Sequence, residues 1–149
     1  MVRSVLISGF IAACCLVMPA QADGARLQQI DTAHRFYQAL GAAPETDDDN
    51  TRAETIAALL TADATIELTD FDVVQNRDEF IDSLVELDDA LSGSRITHRV
   101  ETADGPLMGV LVCYEFESNS VLNRETLTFD GGLISVVTQV PIADKCDAL

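Results

Sequence analysis

Apolar residues recur at three- and four-residue steps through Leu27, Ile30, Ala33, Phe36, Tyr37 and Leu40, which predicts an amphipathic helix over residues 25–40. Gly41 supplies its stop. A narrower stripe of Ile56, Leu59 and Leu60 predicts a second, shorter helix over residues 51–61. The pattern then changes to alternation: at residues 64–68, Thr65 and Glu67 fall on one side and Ile66 and Leu68 on the other, as in a half-buried strand. Asn76 followed by Glu79 three residues later has the form of a capping box. The helix it opens carries Phe80, Ile81, Leu84, Leu87 and Leu91 on one face and is expected to end at Ser92-Gly93.

From Arg95 onward the chain reads as strands, over residues 96–102, 108–116, 123–129 and 133–140. The links between them are 103–106, 117–120 and 130–132, rich in Gly, Asp, Asn, Ser and Pro. Links this short join consecutive strands into an antiparallel meander. Helices first and strands afterwards place the domain in the α+β class, with helices covering one face of a curved sheet.

The N-terminus changes what the working protein is expected to be. Residues 1–22 read as a secretory signal: Arg3 forms the basic start, residues 5–18 the apolar run, and Pro19-Ala20-Gln21-Ala22 the small-residue cleavage pattern. The apolar run is too short to span a bilayer comfortably, so no membrane span is expected. A second route stays open, because Ile11-Ala12-Ala13-Cys14 is similar to a lipobox, but cleavage after Ala22 is favoured over lipidation at Cys14. Either route puts the domain, residues 23–149, in the periplasm or outside the cell.

The net charge of −16 over 149 residues argues against nucleic acid as a partner, since phosphate contacts need clustered Lys and Arg. The acidic surface serves solubility in the first place. Removal of residues 1–22 leaves Cys113 and Cys146, and in an oxidising compartment two cysteines in a small domain are expected to pair. No His or Cys spacing resembles a metal site, His34 and His98 being far apart in sequence, and no cofactor is implied. The acidic run at 47–50 lacks the alternating ligands, central Gly and closing Glu of a calcium loop and reads as solvated.

The order of elements resembles the nuclear transport factor 2-like superfamily, with its SnoaL-like and ketosteroid isomerase-like branches. The residues that carry the resemblance are Ala33-His34-Arg35-Phe36-Tyr37-Gln38-Ala39-Leu40, the stretch from Ala58 to Glu67, and Phe129-Asp130-Gly131-Gly132-Leu133-Ile134-Ser135. The resemblance implies a cystatin-like, cone-shaped roll: N-terminal helices packed on a curved antiparallel sheet, enclosing an apolar cavity with one mouth. Such a cavity suits a small hydrophobic ligand, with a few polar groups deciding what happens inside. The outer face of the sheet is a place for a homodimer.

The isomerase-like branch implies a base just after the first strand and a Tyr in the first helix. Leu68 and Phe36 fall at those places, and a one-residue slip would bring Glu67 and Tyr37 there instead. Other candidates for chemistry are His98 and Arg99, Glu115, Arg124 and Glu125 on the meander, and Asp70 with Asp72, which would project to one side if extended. His98 is the candidate general base near neutral pH. Tyr37, His98, Tyr114 and Gln139 are the candidate ligand-binding residues; the last strand carries no ionisable group. Two readings result: a non-catalytic domain binding a small hydrophobic molecule or a protein partner, and a lyase, isomerase or hydrolase using His98 or a carboxylate in the cone.

Overall fold

A computed structural model describes residues 20–41, 50–87, 91 and 93–149. The elements are α1 (Ala20–Gly41), α2 (Asn50–Ala57), β1 (Leu60–Leu68), a 3-10 turn (Thr69–Phe71), β2 (Val73–Asn76), α3 (Arg77–Glu86), β3 (Arg95–Asp104), β4 (Leu107–Glu115), β5 (Ser120–Asp130) and β6 (Leu133–Ala143). The expected signal segment lies outside the described residues except for Ala20, Gln21 and Ala22, which belong to α1. The expected solvated loop at 42–50 lies outside them too, apart from Asn50, which opens α2.

The capping box is formed as the sequence predicts. The Glu79 amide donates to Asn76 Oδ1 at 3.0 Å, and the Asn76 amide donates to Glu79 Oε2 at 2.9 Å, satisfying two of the orphan donors at the start of α3. Two helices are shorter than their apolar stripes suggest. α2 stops at Ala57 because Leu59 and Leu60 turn into β1, where the Ile134 amide donates to the Leu59 carbonyl at 2.9 Å. Helix α3 ends at Glu86, with Leu87 as its cap; Leu91, where the sequence expects the helix to end, is again helical, and its amide donates to the Leu87 carbonyl at 2.9 Å.

The six strands form one sheet in the order β2-β1-β6-β5-β4-β3. β3 to β6 make the expected antiparallel meander, and β1 joins β6 in parallel, so the complete sheet is mixed. Sequence reading does not foresee β2, which folds back on β1 after Asp72 takes a left-handed conformation (φ 49°). At the β5–β6 hairpin Gly131 (φ 57°) and Gly132 (φ 85°) form the two-residue turn whose positive angles match the strand twist.

Register separates the two faces. One side carries Val100, Val110, Glu125, Gln139 and Leu68 in one cross-strand row and Met108, Leu127, Val137 and Ile66 in the next. This side packs on Ala33, Phe36, Tyr37, Leu40, Ile56, Phe80 and Leu84 of the helices to make the core. Leu111, Cys113 and Leu122 face the other side and are buried as well. There the C-terminal segment is fastened by the Cys113–Cys146 disulfide and by the Arg99 guanidinium, which donates to the Ala148 carbonyl at 3.1 Å. The disulfide is thus formed between the two cysteines the sequence points to.

Candidate functional site

Helical spacing on α1 sets Ala33, Tyr37 and Leu40 against the sheet, and Tyr37 is fully buried. On β5 the two-residue period that buries Leu127 also turns Glu125 and Asn123 inward. A wholly buried carboxyl therefore sits in an otherwise apolar row, between Val110 and Gln139. Its partners are two phenols: Tyr37 donates to Glu125 Oε2 at 2.9 Å, and Tyr114 donates to Oε1 at 2.8 Å. Gln139 Nε2 in turn donates to the Tyr114 hydroxyl at 3.3 Å.

Burial disfavours the charged carboxylate and pushes the Glu125 pKa up to about 7, against the pull of hydrogen bonds from Tyr114, Tyr37, Asn123 and Gln139. The same burial, reinforced by the neighbouring Glu125, raises both tyrosines well above their ordinary range. Two donor arrangements follow. Ionised, the carboxylate accepts from both phenols. Protonated, it has a proton of its own to donate, and one phenol is released to donate elsewhere.

His98 on β3 lies on the same side of the sheet, in the row with Val112 and Asn123. Its ring packs on Tyr37, centroids 4.8 Å apart, and on His34, 4.7 Å away. His34 Nδ1 and His98 Nε2 share a hydrogen bond at 2.5 Å, so one ring donates and the other accepts. Burial first, and His34 second, hold His98 below its ordinary pKa. The fold brings His34, one turn before Tyr37, directly against His98. Separation of 64 residues hides that contact from a local reading.

Of the four sequence-predicted ligand residues, Tyr37, Tyr114 and Gln139 gather around one carboxyl, and His98 stands behind the Tyr37 ring. The other candidates do not join them. Alternation turns Arg99, Glu115 and Arg124 outward, where Glu115 pairs with Arg95 and Arg124 Nε meets Glu101 Oε2 at 3.2 Å. Glu67 accepts from Thr138 at 3.2 Å on that outer side. Asp70 and Asp72 do not share one face of an extended segment, because the 3-10 turn and the left-handed Asp72 intervene, and both are exposed. Of the two alignments considered for the isomerase-like pattern, Tyr37 of the slipped one enters the polar cluster, while Phe36 packs on Phe80. No group of three or more His, Cys, Asp or Glu side chains among the described residues is placed to hold a metal ion.

Sequence reading names Glu125 only as one of several acids. Its signal was present: counting back by two from Leu127 puts a Glu and an Asn at inward positions.

No protein-family model matches the sequence, and neither does any curated protein. Solved structures do. A candidate ketosteroid isomerase from Kribbella flavida is 21% identical, covers 83% of this chain and 84% of its own, and superposes with a TM-score of 0.62. An LEH-like epoxide hydrolase of M. tuberculosis is 16% identical over 78% of this chain and 84% of its own, with a TM-score of 0.57. A nuclear transport factor 2-like protein of unknown function from Burkholderia xenovorans is 11% identical over 83% and 88%, with a TM-score of 0.63. At these identities the likeness is one of fold, and activity has to be argued from the site. With helices on one side of a curved, unclosed sheet of six strands, the chain has the nuclear transport factor 2-like fold.

Proposed function

We propose that this protein binds a small, largely apolar molecule in the cone between its helices and its sheet, using the Tyr37–Glu125–Tyr114 triad to hold the molecule's polar end. The observation that carries the reading is the buried Glu125 carboxyl, with two phenols on it and half-buried Tyr114, Gln139 and His98 beside it. An apolar wall with a few convergent polar groups and a displaced pKa is the form a small-molecule site takes. The chain serves as a binder in this reading. Both carboxyl oxygens are engaged by tyrosines, and the His98 ring nitrogen nearest His34 is taken by it, so the free protein offers no unengaged base at these atoms. The disulfide supports the proposed site of action, the periplasm or the cell exterior.

A native mass spectrum of the protein exported to a bacterial periplasm tests the proposal. Wild type should carry a retained small molecule that Glu125→Leu does not. Bare protein in both cases would remove the reading.

One observation favours a second reading, an enzyme: a carboxyl titrating at about 7 is suited to exchanging a proton at neutral pH. Isomerases, epoxide hydrolases and cyclases share the fold. Its test is solvent deuterium uptake into an apolar ketone, followed by NMR. Uptake catalysed by wild type and abolished in Glu125→Gln would establish it, and equal uptake with and without protein would end it.

A further inference from the structure

Asn123 is buried to within 7% of its surface, yet its side-chain oxygen has no hydrogen-bond partner. A buried carbonyl without a donor is costly, and native proteins rarely leave one idle. By register the side chain lies on the helix-facing side, in the row of His98 and Val112 and one step along β5 from Glu125. Asn123 is among the groups whose hydrogen bonding favours the ionised Glu125.

What could this oxygen receive? A ketone or ether brings only acceptors and would leave it as it is. An anion gains nothing from the cations of the sheet or of α3: Arg95, Arg99 and Arg124 alternate to the outer face, and Arg77 sits at the start of α3, bonded to Asp78 and the Ala57 carbonyl. An ammonium brings three donors and would need the Glu125 oxygens as well as Asn123 Oδ1, although each of those oxygens already accepts from a phenol. A hydroxyl fits. It donates once, to the one acceptor in this row that has no partner.

Resting on the binding role proposed above, we infer that the ligand is an apolar alcohol or phenol whose hydroxyl donates to Asn123 Oδ1, which makes Asn123 the residue that selects it. The test compares 2-naphthol, 2-methoxynaphthalene and naphthalene, titrated into the full disulfide-bonded protein at pH 7 and followed by fluorescence and calorimetry. Wild type should prefer the naphthol to its methyl ether by about tenfold or more, since a site built around a hydroxyl penalises the analogue that lacks it. Asn123→Leu should bind the ether as well as wild type does and reduce the preference to within about twofold. Asn123→Ala serves the same purpose if the Leu variant does not fold.

Equal affinities of wild type for naphthol and ether would overturn the inference and leave the binding role standing. A preference unchanged in the variants would overturn it too, by placing the acceptor elsewhere. Failure of all three compounds to bind a protein shown to be folded would remove the binding role itself, and the inference with it.

Discussion

Glu125→Gln should make the protein's stability less sensitive to pH, by an amount the structure fixes. A carboxyl raised from its ordinary 4.5 to about 7 is neutral in both folded and unfolded chains under acid conditions and then leaves stability unchanged. As pH rises through 4.5 the unfolded chain ionises while the folded chain keeps its proton, so folding loses ground until the folded carboxyl ionises as well. The full difference is about 2.5 units, or about 3 kcal/mol, and about 2.5 kcal/mol of it falls between pH 5 and pH 8. Gln fills the same space, accepting from one tyrosine and donating to the other, but does not titrate. Urea unfolding of both proteins at the two pH values is the assay. With an m-value of about 2 kcal/mol/M, the midpoint of the variant should gain on wild type by roughly 1 M from pH 5 to pH 8. The contribution from His98 is common to both chains and cancels in the difference. A gap between midpoints that is the same at both pH values would refute the claim that burial dominates at Glu125.

Tyr37→Phe removes a donor that favours the ionised carboxyl, so the Glu125 pKa should move further up; carbon NMR of the labelled side chain reads the shift directly. His34→Leu removes the second cause of the depressed His98 pKa, and proton NMR titration should show His98 rising while burial still holds it below its ordinary value. Cys113→Ser opens a loop with a sequence separation of 33 and should cost about 3–4 kcal/mol by the chain-entropy argument, lowering Tm by roughly 10 °C, whereas wild type treated with reductant should match the variant. Asn76→Ala deletes the N-cap of α3 and should cost about 1 kcal/mol in urea unfolding, without altering the Glu125 titration.

The meander was legible because it is local: its links are short, and its turn residues are specific to the job. The capping box at Asn76 was legible for the same reason. The helix end at Ala57 was not, since Leu59 and Leu60 are apolar in either conformation, and contact with β6 decides between them. Strand β2 was hidden because Val73-Val74-Gln75-Asn76 is too short to show alternation, and its hairpin depends on the left-handed Asp72. At the site, the members could be named one by one, but their meeting could not. Tyr37 and Glu125 are 88 residues apart, and His34 and His98 are 64 apart. Only the closing of α1 over the sheet brings them together.

That closing also bears on why an acid is there at all. The row between Val110 and Gln139 could be filled by Leu or Met, which would bury apolar surface and carry no desolvation cost. Glu125 instead costs the fold about 3 kcal/mol at pH 8 by the linkage worked out above, a large share of the stability of a domain this size. Two tyrosines, Asn123 and Gln139 are arranged to reduce that cost without removing it. A polar core network used only for specificity would be closed, with every member satisfied. This one leaves the Asn123 oxygen unpartnered beside half-buried His98, Tyr114 and Gln139. Positions where a sequence breaks its own packing rules are where function is to be sought, and Glu125 and Asn123 lie on one side of the sheet. A purely structural account explains the hydrogen bonds to Glu125 and leaves the Asn123 acceptor over; the proposed ligand would use it.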